Sequence, residues 1–333
     1  MKVCIFGLGA VGGLIAGRLA LAGTEVSAVA RGETLVSVRR SGMTLIEEGL
    51  TCRVPLRVEE DPAQLGAQDL VILAVKNTAL KDIAPLIAPL LGKHTAVLSA
   101  MNGVPWWFCI GLGDEVRDFR LETVDPAGVI SRAISPERVI GCVCNLSAST
   151  PTPGTVAYVS GPRLTIGEPT GGADTERCIA TISSLRAAGF DVVAADSIQQ
   201  SIWFKLWGNM TVNPISALTH ATGDRIVDDI LVRDFMSRCM LEASAVGESI
   251  GLQIPGDPYS RHAVTRRLGA FRTSMLQDVE AGRPTELDAL VGAVLEIARW
   301  RGIATPNIDA LFGLARLQAR CLGLYPEDEK YEK

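Results

Sequence analysis

Lys2-Val3-Cys4-Ile5-Phe6-Gly7-Leu8-Gly9-Ala10-Val11-Gly12 opens the chain, and its reading decides the fold. Residues 3–6 are a short apolar run that predicts a strand, and residues 11–22 carry helical spacing that stops at Gly23. Between them lies a G-x-G-x-x-G turn. Its first glycine permits the tight bend, the second lets a pyrophosphate approach the backbone, and the third lets the helix pack closely on the strand. N–H groups at the helix start then face the phosphates. Gly-rich turns also serve purely structural ends, but a second strand at residues 25–30 completes the βαβ setting in which the pattern binds a dinucleotide. Gly7, Leu8, Gly9, Ala10, Val11 and Gly12 are thus the candidate phosphate-binding residues.

The second strand ends in Val29-Ala30-Arg31-Gly32. An acidic residue there would hold the 2′-hydroxyl of NAD, whereas an arginine can accept a 2′-phosphate, so Arg31 favours NADP(H). The competing reading makes Arg31 a solvated loop charge and gives the ribose to Glu33.

Working outward, residues 33–40 read as helix, 69–75 (DLVILAV) as a strand buried on both faces, 80–91 as helix and 95–101 as strand. Strand and helix in alternation predict a doubly wound, Rossmann-type α/β sheet. Residues 139–167 change to short β-like runs broken by Pro151, Pro153, Gly154 and Gly161, which predict antiparallel strands added to that sheet. A helix at 174–188 and a strand at 190–193 close this half. Beyond Asp196 only helical spacing remains, at 197–211, 227–251, 259–281, 285–301 and 308–322. The expected organisation is a dinucleotide-binding domain over residues 1–195 and an all-α substrate domain over 196–333.

Composition narrows the function classes. The 333 residues are 47% hydrophobic and 21% charged, which is a folded chain with a generous core. With 32 Lys plus Arg against 37 Asp plus Glu, the net charge of -5 argues against a nucleic-acid partner. Eight scattered cysteines form no C-x-x-C pair and read as buried reduced thiols, while three histidines far apart give no metal-ligand spacing. The apolar N-terminal run ends in Ala20-Leu21-Ala22, but Arg18 interrupts it, so a signal peptide is disfavoured. No run reaches about 18 uninterrupted apolar residues, so no membrane span is expected. A reducing cytoplasm fits best.

In the helical half, residues 197–213 read SIQQSIWFKLWGNMTVN. At about 100° per residue, Lys205, Asn209 and Asn213 fall within about 80° of one another, while Trp203, Leu206, Trp207 and Met210 take the next sector. One account is an ordinary amphipathic surface helix. The other starts from the two tryptophans, whose burial would desolvate Lys205 and lower its pKa toward the range of a proton donor near neutral pH. Further on, SMLQD (274–278) precedes GRPTE (282–286). Pro284 suits the first turn of a new helix, which would set Glu286 at a positive dipole end; by itself that is a helix cap more often than a site.

These pieces together resemble the ketopantoate reductase (2-dehydropantoate 2-reductase) family. The N-terminal GLGAVGG, AVKN at 74–77, Met101-Asn102-Gly103, WFKLWGNMTVNP and SMLQD-VEAGRPTELD recur in family order across nearly the whole chain. The resemblance implies NADPH-dependent reduction of a 2-oxo acid, with ketopantoate as leading substrate and pantoate as product. It makes Lys205 the general acid and gives Glu286 the substrate's distal hydroxyl. Asn209, Asn213 and Ser274 would position carboxylate, hydroxyl and water, and Lys76 and Asn102 would face cofactor and substrate in a cleft between the domains. A keto carbon accepting hydride develops negative charge on its oxygen, and a positioned ammonium both stabilises that charge and supplies the proton.

Two departures bear on the acid's identity. Residues 104–138 form a long insertion with Pro105-Trp106-Trp107-Phe108, which could cap the cleft or serve as the contact of a homodimer. Phe271 stands three residues before Ser274, where ketopantoate-reducing members often place an Asn. The rivals are a reductase or dehydrogenase of another 2-oxo or 2-hydroxy acid, and a nucleotide-sensing regulator without chemistry.

Overall fold

Val3, Cys4 and Ile5 have no exposed surface. Successive strand residues point to opposite faces, so their strand is covered on both sides. It is an interior strand of a sheet in the computed structural model, which describes residues 1–254 and 256–327. The strands are β1 (Lys2–Phe6), β2 (Glu25–Val29), β3 (Met43–Glu47), β4 (Leu50–Val54), β5 (Arg57–Glu59), β6 (Gln68–Leu73), β7 (Leu91–Ser99), β8 (Val139–Ser149), β9 (Thr155–Gly167) and β10 (Asp191–Ala194). Their order is β4-β3-β9-β8-β7-β6-β1-β2-β5, with β10 beside β9. From β5 through β2, β1, β6 and β7 to β8 every pairing is parallel. β9 turns back antiparallel on β8, and the β3–β4 hairpin joins through a parallel β3–β9 pairing. The doubly wound expectation holds, and the antiparallel addition lies where the Pro/Gly-broken runs put it. The strands β3, β4 and β5 were not legible: β4 exposes four of its five residues and alternates no apolar face.

The helices are α1 (Ala10–Leu21), α2 (Gly32–Ser41), α3 (Asn77–Ile83), α4 (Gly113–Val116), α5 (Val129–Ala133), α6 (Glu176–Ala187), α7 (Ile198–Thr219), α8 (Gly223–Asp228), α9 (Ile230–Ser249), α10 (Pro258–Arg267), α11 (Ser274–Glu280), α12 (Ala293–Arg301) and α13 (Pro306–Cys321). The helical spacing over 227–251 is two helices, because Asp229 stops α8 and caps α9, its Oδ1 accepting from the N–H groups of Leu231 (3.0 Å) and Val232 (3.1 Å). Likewise 259–281 divides at Gly269, whose φ of +72° ends α10 before Thr273 caps α11. Among the described residues no helix is long and apolar enough to cross a membrane, and all eight cysteines are free, six of them buried.

Two compact units emerge: residues 1–111 with 125–201, and residues 112–124 with the described chain from 202 onward. The division falls inside α7, a little past the expected 195, and the insertion is shared between the units. Its aromatic run is not an exposed patch: Trp106, Trp107 and Phe108 are 6%, 1% and 0% exposed. The Trp107 ring lies on β8 where Gly141 leaves room, 2.6 Å from the position a Cβ there would take. These three rings therefore offer no exposed apolar patch for a subunit contact; they are buried within the first unit.

Residues 112–124 belong to the helical unit through specific bonds. The Glu296 carboxylate on α12 accepts from the backbone N–H groups of Glu122 and Thr123, both at 2.8 Å. Phe119 stacks on Trp300 with centroids 4.1 Å apart. Hydrogen bonds to a charged group contribute about 1.5–3 kcal/mol each. Glu296→Ala is therefore expected to speed proteolytic cleavage within 112–124 while Glu296→Gln, which keeps an acceptor, has a smaller effect; limited proteolysis with mass mapping measures both.

Candidate active site

In the first unit, four parallel strands end on one edge of the sheet. β1 leads into the glycine turn, β2 into Arg31, β6 into Lys76 and β7 into Asn102. The chain leaves β1 for β2 on one side, while β6 lies on the other, which is the topological switch point where open α/β sheets bind ligands. Each glycine has a separate physical reason. Gly7 has φ +104°, and a Cβ there would sit 2.7 Å from Val75 Cγ1. At Gly12 a Cβ would collide with the Gly7 carbonyl and lie 2.8 Å from Ala74 Cβ. Gly9 meets nothing within 4 Å. The two outer glycines are required by the protein's own packing, and the middle one faces open space. Gly9 is also the N-cap of α1 and provides no side-chain acceptor, so the first-turn N–H groups stand ready for an anion. These features fit a dinucleotide pyrophosphate.

Arg31 is exposed at the N-cap of α2, with Glu33 exposed in its first turn. Lys76 is the half-buried N-cap of α3. Asn77 Nδ2 donates to the Asn102 carbonyl oxygen at 2.5 Å, tying the loop after β7 to the turn after β6. That tie was missed in the sequence, where AVKN displays the residue but not its partner.

In the second unit the candidate side chains lie on three elements. Lys205 and Asn209 are half-buried on α7 and Asn213 is 6% exposed. The opposite side of α7 is fixed against α9: Trp203 Nε1 donates to the Ala243 oxygen at 3.3 Å and Trp207 Nε1 to the Met240 oxygen at 2.6 Å. Both rings are 1% exposed, so the tryptophans pack as the amphipathic reading requires. Ser274 is the exposed first residue of α11, whose cap is its neighbour Thr273. Asp278, buried, pairs with Arg283 at 3.0 Å and so holds the turn that connects α11 to Glu286.

Glu286 is 5% exposed. It precedes the helical run rather than lying in its first turn, and Pro284 lies outside that run: the Thr285 N–H is taken by the Leu324 oxygen at 3.4 Å, which ties this segment to the chain just after α13. Helical backbone begins after Glu286 with a π turn at Asp288–Gly292. Asp288 within it accepts from Tyr325 Oη at 2.5 Å, and burial pushes the Asp288 carboxyl up from its usual range.

Two family models cover the chain: ketopantoate reductase PanE/ApbA over residues 3–171, and its C-terminal counterpart over residues 197–319. The chain belongs to the ketopantoate reductase family. It is an oxidoreductase by that membership. A 2-dehydropantoate 2-reductase from Mesorhizobium japonicum is 44% identical over 98% of this chain and 100% of its own length. A crystal structure from Ralstonia solanacearum, provisionally described as a ketopantoate reductase, matches with TM-score 0.93 and 48% identity over 97% of this chain and 99% of that one. The fold is shared more widely: a D-mandelate dehydrogenase, solved as a ternary structure with NADH and anilino(oxo)acetate, matches with TM-score 0.83 at 21% identity over 97% of this chain and 100% of that one.

The glycine turn yields a test that separates packing from ligand binding. Gly12→Ala is expected to destabilise the fold by about 3 kcal/mol or more, because backbone cannot yield as a side-chain tip can. Gly9→Ala should leave the melting temperature unchanged and weaken dinucleotide binding on the order of tenfold. Thermal melts and calorimetric titration with NADPH measure the two effects.

Proposed function

We propose that this family member catalyses the NADPH-dependent reduction of ketopantoate to pantoate. What carries the proposal is the side of α7 on which Lys205, Asn209 and Asn213 stand, with the other side fixed by two indole hydrogen bonds. The full-length identity to the Mesorhizobium japonicum enzyme supports ketopantoate as the acid. When bound, the dinucleotide supplies the hydride that the keto carbon receives.

The first unit's part would be to hold that dinucleotide: Gly7 to Gly12 would take the pyrophosphate, Arg31 the 2′-phosphate, and Lys76 and Asn102 would face cofactor and substrate. Within the second unit, Lys205 Nζ donates the proton that the carbonyl oxygen needs as charge develops on it. Its positive charge also lowers the energy of that oxyanion before the proton moves. Asn209, Asn213 and Ser274 orient the acid by hydrogen bonds, and Glu286 accepts from its distal hydroxyl. A buried carboxylate suits that role, since it is a strong acceptor held in one place for a hydroxyl donor. The free and mostly buried thiols accord with a reducing, cytoplasmic setting.

A second reading, reduction of another 2-oxo or 2-hydroxy acid by the same residues, draws on Phe271. Its ring fills the space that a Cβ on Gly223 would need, and the Gly223 N–H donates to the Phe271 oxygen at 3.0 Å. An apolar ring, not an amide, therefore stands three residues before Ser274. NADPH oxidation with ketopantoate, oxaloacetate and branched 2-oxo acids distinguishes the readings, and a ketopantoate rate below the others would overturn the first.

Lys205→Ala is expected to lower kcat by about 10²–10⁴-fold, the usual contribution of a general acid, with NADPH affinity unchanged. Near-normal turnover would remove Lys205 from the mechanism. Arg31→Ala should raise the KM for NADPH on the order of 10- to 100-fold and leave that for NADH unaltered, as loss of one charge-assisted phosphate contact requires. Steady-state kinetics with both dinucleotides measures the shift.

A further inference from the structure

Helix α10, PYSRHAVTRR, has the composition of a solvated surface helix. Asp257 caps it, its Oδ1 accepting from the Ser260 N–H at 2.8 Å, and Pro258 occupies the first turn. His262 and Thr265 nevertheless are 5% and 6% exposed. Arg261 stands beside them, and its guanidinium reaches α7 at Gly208, where it occupies the space that a Cβ would need. Glycine inside a helix is less favourable than alanine. Here the missing side chain forms a notch, and the notch is filled by a cation.

On the α7 wheel Gly208 falls about 60° to one side of Lys205 and Asn209 about 40° to the other. The three positions form one continuous arc, with Lys205 in the middle. Arg261 has no acid partner among the described residues, and its Nε is buried without an acceptor. Other arginines of this unit are paired: Arg283 with Asp278, Arg272 with Glu280, Arg266 with Asp228. Arg233, whose Nε is also buried unpartnered, at least donates from Nη1 to the Val227 oxygen at 3.1 Å. Nothing offsets the burial that pushes the Arg261 guanidinium down from its ordinary value. Burial, Arg233 and Arg261 together lower the His262 pKa, against smaller opposing effects of Asp234 and Asp257, so the surroundings are cationic.

Arg261 is half-buried, and a partly desolvated charge without a partner is destabilising. A bound anion removes that penalty. In a 2-oxo acid the carboxylate carbon is bonded directly to the keto carbon, so an ammonium at the keto oxygen requires its carboxylate partner to come from an adjoining position. We propose that Arg261 is the substrate-binding residue for the carboxylate of the 2-oxo acid, held beside Lys205 by the Gly208 notch. The inference rests on Lys205 being the proton donor, as proposed above. A planar fork with no competing acid is the group best matched to a carboxylate.

Arg261→Met and Arg261→Lys in the full-length chain test it. Loss of a charge-assisted contact should raise the KM for ketopantoate on the order of 10- to 100-fold in Arg261→Met, less in Arg261→Lys, with NADPH affinity unaltered. Calorimetric binding of pantoate to the NADP-loaded protein should weaken by the same factor. The melting temperature should hold or rise, because an uncompensated charge has gone, whereas a merely structural arginine predicts a fall. The methyl ester of the acid should be reduced equally by wild type and both variants. Unchanged KM and pantoate affinity, or equal losses with acid and ester, would overturn the assignment of Arg261 while leaving the proposed reaction in place. A wild-type protein that reduces no 2-oxo acid would overturn the reaction and this inference together. Should Arg261→Met fail to fold, the acid-to-ester comparison in Arg261→Lys decides.

Discussion

The rotation of α7 about its own axis is the constraint on which the helical half of the candidate site depends. Apolar packing alone is non-directional and would let a 22-residue helix turn or slide against its neighbour. Two indole N–H groups four residues apart prevent this, since each must meet a particular carbonyl of α9. Gly247 of α9 completes the fit, for a Cβ there would lie 3.1 Å from Trp203 Cδ1. With that side fixed, Lys205, Asn209 and Asn213 are committed to the other. The polar groups proposed for chemistry are thus positioned by residues that take no part in it.

The distribution of charge follows a related logic. An acidic chain with net charge -5 would be expected to neutralise its interior cations easily. Many of its carboxylates instead serve backbone N–H groups. Glu242 accepts from Asn307 (3.0 Å) and Ile308 (2.9 Å) at the start of α13, Asp229 caps α9, and Glu296 holds residues 112–124. Each choice stabilises a helix end or a loop that would otherwise leave donors unsatisfied. The same choices leave Arg261 without a carboxylate among the described residues, and it is this cation that is proposed to bind the acid.

The fold was legible wherever a local pattern carried it. The G-x-G-x-x-G turn and the DLVILAV run specify buried parallel strands because burial on both faces demands uninterrupted apolar residues. β3 to β5 were not legible, as short edge strands need no such run and β4 faces solvent along most of its length. In the site, Lys205, Asn209 and Asn213 could be set on one side of a helix from spacing alone. The position of Glu286 before its helix could not, because it depends on a hydrogen bond to Leu324, 39 positions from Thr285 in the chain if one counts from 285 to 324. Arg261 left one local trace, the glycine at 208 inside an otherwise good helix, which signals a close approach without saying by what.

Glycines in this chain report their purpose by what occupies the space of the absent side chain. At Gly12 that space is taken by backbone and by Ala74, so the residue serves the fold, and any anion at the turn is bound through a helix whose distance from the sheet it sets. At Gly9 it is empty, which leaves the room that the proposed dinucleotide would need. At Gly208 it is taken by a guanidinium with no counter-ion among the described residues. The last case combines the other two: the protein's own atom fills the space, and in the proposal above an outside group supplies its counter-charge. A methyl group at 208 would displace Arg261 without touching Lys205. The proposed proton donor on α7 and the proposed carboxylate ligand on α10 are therefore physically separable.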